Sequence, residues 1–289
     1  MQGIYIAAII TTGLVLGVYG SFILKMKLPV RNFSLLMAFL LVLPAQPLAF
    51  YLVRVPVENF LSATLGNESQ VLQTIRLFYA PLTEEPAKLL PLLFPFIFRD
   101  IRRENFVRYA MTIGLGFGIG EIWFVAERVA QNAEYASMPF YYFSGFLGER
   151  FQVCLLHGAF NSLVLWRLRD KLWLGFLLAA TAHFFGNFPI FLMAKDFGGL
   201  GQATWQVIVS LWVSAYFLGG IALLAYFRYG KMNVGRFIFG QTRCPECGSV
   251  YDSPFFGLNL GSKRYEKCPS CRKWHMTGVN DKVSEETES

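Results

Sequence analysis

The chain has 289 residues, of which 54% are hydrophobic, 17% aromatic and only 16% charged, and its mean hydropathy is +0.42. This composition excludes an ordinary soluble domain and fits a polytopic membrane protein. The net charge of +7 does not point to nucleic acid, because the basic residues cluster between apolar stretches, where the positive-inside rule puts them.

A membrane-crossing helix needs about 20 mostly apolar residues. Seven such stretches follow in chain order, roughly 3–24, 33–53, 71–98, 106–129, 150–168, 172–194 and 204–227. The first lacks a basic leader and is too long for a signal peptide, so it reads as a span. Lys25, Lys27 and Arg31 follow the first stretch, and Arg99, Arg102, Arg103 and Arg108 follow the third. Arg167, Arg169 and Lys171 follow the fifth, and Arg228, Lys231, Arg236 and Arg243 follow the seventh. The alternate loops hold little beyond Arg54, Arg150 and Lys195. That alternation predicts an outside N-terminus and a cytoplasmic C-terminus. The aromatic loop 130–149 reads as an interfacial belt.

The expected fold is therefore an all-α polytopic membrane protein with about seven transmembrane helices over residues 1–230. A cytoplasmic linker over 231–243, a small β zinc-ribbon domain over 244–278 and a disordered polar tail over 279–289 complete the expected order.

The third stretch carries Glu84-Glu85-Pro86-Ala87-Lys88 at its centre. A charged residue at a helix centre costs on the order of 2.5–3.5 kcal/mol on insertion scales, so such groups face protein or water and mark function. Lys88 lies within a helical turn of both carboxylates and can pair with either. The other carboxylate is then free for chemistry. Pro86 and Pro91 each remove a backbone hydrogen bond, which is tolerated where a segment lines a cavity.

The fourth stretch holds Gly114, Gly116, Gly118 and Gly120, which allow close helix approach, and then Glu121. The fifth holds His157 and Asn161, and the sixth holds His183 and Asn187. In each pair the two polar groups are one turn apart on one face. Counted at about 1.5 Å per residue, Glu84 and His183 fall near mid-span, with His157 and Glu121 about one turn outward. One cavity could hold all of them.

Glu84-Glu85-Pro86-Ala87-Lys88, Phe117-Gly118-Ile119-Gly120-Glu121, His157 to Asn161 and His183 to Asn187, in that order, resemble the PrsW family of glutamic-type intramembrane proteases. That family is related to the type II CAAX prenyl endopeptidases, in which the second motif ends in histidine rather than in Glu121. The resemblance implies hydrolysis of a peptide bond in a membrane-anchored protein. Glu84 is expected as the base, with Glu85 as its partner beside Lys88. His157, Asn161, His183 and Asn187 are expected as proton shuttle and oxyanion donors, with Glu121 nearby.

Two other readings stand beside it. Glutamate with two histidines is also a zinc ligand set, but no His-Glu-x-x-His occurs and no catalytic metal is expected. A non-enzymatic scaffold or proton-coupled transporter would also hold such groups at mid-membrane, although no internal repeat is present. Cys154 beside His157 reads as a small apolar filler.

The C-terminal part carries Cys244-x-x-Cys247 and Cys268-x-x-Cys271, separated by twenty residues. This spacing is that of a zinc ribbon with one structural Zn2+. Gly248 suits the knuckle after the second cysteine. Val250, Tyr251, Phe255 and Phe256 fit short strands, and His275 is a bystander. The expected partners are the lipid bilayer, the membrane-anchored protein substrate and a cytoplasmic protein docking on the ribbon. Nucleic acid is not expected.

Overall fold

The computed structural model describes residues 2–26, 28–278 and 281–283. The chain is mostly helical, at 71%, with a small C-terminal region of antiparallel sheet. It divides into two compact units, Met1–Gly220 and Ile221–Ser289.

In the first unit, α1 (Gly3–Lys25) includes a π-helical turn at Leu16–Gly20. Then come α2 (Asn32–Val42) and α3 (Ala45–Leu65), bent by 42° relative to each other. Pro44 sits at the break, where its missing N–H interrupts the helical ladder. A second π-helical turn, Phe50–Arg54, lies within α3. Next are α4 (Gln70–Arg76), α5 (Tyr79–Ala87), a 3-10 turn at Leu90–Leu93 and α6 (Pro95–Asp100). Four long helices follow: α7 (Phe106–Ala130), α8 (Ser144–Trp166), α9 (Leu172–Ala194) and α10 (Gln202–Tyr229). The last of these runs across the division between the two units.

Among the described residues, α1, α7, α9 and α10 are long and apolar enough to cross a membrane, with a fifth span if α2 and α3 count as one bent span. This is consistent with an integral membrane protein, but it is fewer than the seven expected crossings. Two stretches account for the difference. The third, 71–98, is cut into short pieces, with Pro86, Pro91 and Pro95 at or beside the breaks. The fifth forms the continuous helix α8, but Glu149, Arg150, His157 and Asn161 leave it less apolar than the others.

The core of this unit is built around α7, whose residues from Phe106 to Ile119 are all buried. Its glycines face two neighbours in alternation. A Cβ on Gly114 would lie 2.2 Å from the Gly158 nitrogen, and one on Gly118 would lie 2.5 Å from Cys154 Sγ, both on α8. A Cβ on Gly116 or Gly120 would strike Phe39, Val42 or Leu43 at the end of α2. Four-residue spacing puts each glycine pair on one face, so two helices close on α7 at backbone distance. On the other side of α8, Leu156, Phe160 and Val164 pack against Ala179 of α9.

In the second unit, α11 (Val234–Phe239) leads, among the described residues, into six strands: β1 (Gln241–Arg243), β2 (Val250–Asp252), β3 (Leu258–Leu260), β4 (Lys263–Lys267), β5 (Trp274–Thr277) and β6 (Lys282–Val283). They form two antiparallel sheets, ordered β2-β1-β6 and β3-β4-β5. Thr242 pairs with Tyr251, and Tyr265 pairs with Leu258 and Met276. The stretch expected as a linker, 231–243, instead holds α11 and β1. Lys282 and Val283, expected within the tail, pair with β1; residues 279–280 and 284–289 lie outside the described residues. Phe255 and Phe256 lie in the bend between β2 and β3 rather than in a strand. Pro254 beside them offers no N–H to a ladder.

Candidate functional site

The last turn of α5 presents Glu84 and Glu85, both buried. Lys88 takes Glu85: Nζ donates to Glu85 Oε1 at 2.6 Å, with both side chains fully buried. The Lys88 ammonium also lies 4.9 Å from the Phe117 ring centre and 5.8 Å from that of Phe160. His183 Nδ1 meets the same Glu85 oxygen at 2.6 Å. With Nδ1 held there, His183 Nε2 lies 3.6 Å from Glu84 Oε2. The Phe160 ring stacks on His183 at 5.5 Å and fixes the plane of the imidazole.

Glu84 has partners that sequence reasoning did not place beside it. Its Oε1 accepts from the Arg54 guanidinium and from Gln46 Nε2 at 3.3 Å. Arg54 Nε donates to Thr83 at 2.7 Å. Arg54 closes the π-helical turn of α3; such turns are frequent at functional sites because the extra residue re-aims a side chain. On the facing helices, His157 Nε2 meets Glu121 Oε2 at 2.8 Å. Arg150 NH1 lies 3.0 Å from the same oxygen, and Arg150 also pairs with Glu149. The Phe117 ring meets His157 edge-on at 4.8 Å. The two imidazoles, His157 and His183, are 6.0 Å apart.

These groups surround one cavity of about 690 Å³. Glu84, Glu121, His157, His183 and Asn187 line it, together with Arg54, Arg150 and Gln46. Glu85, Lys88 and Asn161 are not among its lining residues. All three are fully buried, and neither amide atom of Asn161 has a hydrogen-bond partner among the described residues. The two His-x-x-x-Asn pairs therefore differ: Asn187 reaches the cavity and Asn161 does not. Arg54, Gln46 and Arg150 are the site residues that sequence reasoning missed. The available signal was charge: a surplus of carboxylates in apolar stretches needs more cations than Lys88. Cys154 is buried against Gly118, as a small filler would be.

Two groups among the described residues could hold a metal ion. The first is Cys244, Cys247, Cys268 and Cys271. Four sulfurs about 2.3 Å from a tetrahedral zinc lie roughly 3.8 Å apart. Here Cys244 Sγ and Cys271 Sγ are 3.8 Å apart, and Cys247 Sγ and Cys268 Sγ are 3.9 Å apart. Burial alone would raise the Cys268 thiol, but the backbone around Cys271 and Ser270 and the Ser249 hydroxyl bring it down to about 6. Gly248, at φ +73°, makes the knuckle. His275 stays outside the four-cysteine group, as expected, but packs beside it: Nδ1 lies 3.9 Å from Cys244 Sγ and Nε2 bonds Tyr251 at 2.8 Å. Tyr251 in turn donates to the buried Glu266, which pairs with Arg264. The second group is Glu84, Glu121 and His157, whose donor atoms lie within 4.8 Å of one another.

Compared with protein-family models, curated proteins and solved structures, the chain matches none.

Proposed function

We propose that the chain is an intramembrane protease that hydrolyses a peptide bond of a membrane-anchored protein with water activated by Glu84. The observation that carries this reading is the cavity wall. Glu84, Glu121, His157 and His183 come from four helices and meet around one space, while the neighbouring Glu85 and Lys88 are withdrawn into packing. The motif order that resembles the PrsW family supports the same reaction. In this reading the N-terminus lies outside, the C-terminus lies in the cytoplasm and the four cysteines hold a structural Zn2+.

The chemistry follows from the contacts. Glu84 takes a proton from water, and the hydroxide adds to the peptide carbonyl carbon. The oxyanion receives hydrogen bonds from the Asn187 amide and from Nε2–H of His183 in its protonated form, with Nδ1–H held on Glu85. Glu84 then returns the proton to the amide nitrogen as the C–N bond breaks. Glu85 acts one step back, holding His183 by Nδ1 so that Nε2 faces Glu84.

One observation favours a second reading, a metal-dependent protease: the donor atoms of Glu84, Glu121 and His157 are close enough to share an ion. Against it, Arg54 already holds Glu84 Oε1 and Arg150 holds Glu121 Oε2, so an ion would displace both, whereas water activation needs only the Glu84 Oε2 beside His183.

The test is cleavage of a transmembrane peptide by the purified full chain in detergent. Glu84→Gln should lower turnover by about 10²–10⁴-fold. An unchanged rate would refute the reading. Metal content separates the two mechanisms: one ion per full chain fits the glutamate mechanism, and two fit the metal site.

A further inference from the structure

One face of the β3-β4-β5 sheet is apolar, basic at its edge and uncovered. Side chains alternate along a strand. On β4 this sends Arg264 and Glu266 to the buried side and Lys263, Tyr265 and Lys267 to the other. Tyr265 stands opposite Leu258 and Met276, Lys263 opposite Leu260, and Lys267 opposite Trp274. The outer face therefore carries two leucines, a methionine, two lysines and the stacked rings of Tyr265 and Trp274, 5.3 Å apart. Trp274 is 52% exposed, and Phe256, in the bend leading to β3, is 84% exposed. Among the described residues of these three strands no carboxylate stands on this face, since Glu266 points inward.

The attachment of the ribbon to α10 points to what this face meets. Within the second unit, the ribbon is clamped to the end of α10, a helix long and apolar enough to span a membrane. Asp252 of β2 pairs with Lys231 at 3.1 Å and Arg236 at 3.3 Å, and accepts from Asn233 at 2.6 Å. The Arg236 guanidinium lies 4.6 Å from the Tyr229 ring, on the last residue of α10. Gly235 packs on the backbone of Ser253 to Phe255, the segment that leads into β3. A short, braced connection thus fixes the segment leading into β3 to the residues that directly follow a membrane span. Tryptophan and tyrosine with lysine are the residues of membrane–water interfaces.

We propose that this face docks on the anionic lipid surface around the end of α10. The proposal rests on α10 crossing a membrane and is independent of the protease reading. Each lysine near an anionic surface shifts such an equilibrium about fivefold, so Lys263 and Lys267 together shift it about 25- to 30-fold.

The test uses the full chain labelled with 5-fluorotryptophan in lipid nanodiscs, with the Trp274 signal identified by its loss in Trp274→Phe. In discs of phosphatidylcholine with phosphatidylglycerol, a headgroup spin label should broaden Trp274, and a water-soluble gadolinium chelate should not. In pure phosphatidylcholine, or in Lys263→Glu/Lys267→Glu with its metal content intact, the two probes should exchange roles. If that variant loses its metal, a salt titration of the unaltered chain decides, because screening must release the face. Equal access of the soluble probe in both disc types overturns the proposal. So does protection that appears only when a single-stranded oligonucleotide or an acidic peptide is added.

Discussion

Lys88 and Glu85 form an ion pair three residues apart with no exposure to solvent. Such a pair is expensive to bury, and breaking it strands a charge. Lys88→Met is therefore expected to destabilise the helical unit by about 3–5 kcal/mol, read as a lower midpoint of thermal unfolding in detergent. Lys88→Met combined with Glu85→Leu should regain most of that stability. It should still cleave poorly, because Glu85 no longer holds His183 Nδ1. Full activity in the double variant would remove Glu85 from the mechanism.

At the scale of elements, the glycines of α7 set where the carboxylates can meet the histidines. Gly114 and Gly118 bring α8 against α7, which places Glu121 against His157 one turn further along. A methyl group at Gly114 has no room against the Gly158 backbone. Gly114→Ala should therefore separate the two helices and lower both stability and turnover. Gly13, in α1, has nothing within 4 Å of its would-be Cβ. Gly13→Ala should be neutral or stabilising by up to about 1 kcal/mol through helix propensity. A destabilising Gly13→Ala of the same size as Gly114→Ala would remove close backbone packing as the cause of the Gly114 effect.

At the scale of the whole molecule, the ribbon and the helical unit should respond separately to metal removal. Domains of this size with four thiolates commonly depend on the ion for their fold. A strong chelator is expected to raise hydrogen exchange across β1–β6 while exchange in α7–α9 stays unchanged. Acid should act on the clamp as well. Burial would raise the Asp252 carboxyl, but Lys231, Gln241 and Arg236 hold it below its usual 3.8. A depressed carboxylate contributes stability that is complete above its unfolded value, here about pH 4, and is lost as pH falls through the lower folded value. Asp252→Asn should remove that acid-sensitive step, seen as pH-independent protection factors at Val234–Phe239 once the intrinsic exchange rate is divided out.

The amino-acid order by itself determined the membrane class, because apolar content and run length are local quantities. It also determined the two Cys-x-x-Cys knuckles, whose three-residue spacing brings each pair of thiols within reach, and the list of carboxylates and histidines too costly to leave in lipid. The tertiary structure decided the rest. Lys88 stood within a turn of two carboxylates, and only packing gave it to Glu85. Arg54 lies 30 residues from Glu84, and Glu121 lies 36 from His157. Nothing local fixes such pairs: Arg54 and Arg150 read as loop charges until a π-helical turn and the start of α8 bring them into the cavity. Asn161 matched Asn187 in pattern, yet helix rotation buried one and exposed the other to the site. The number of spans followed the same logic, since hydropathy measures how apolar a stretch is and the prolines decide whether it stays one helix.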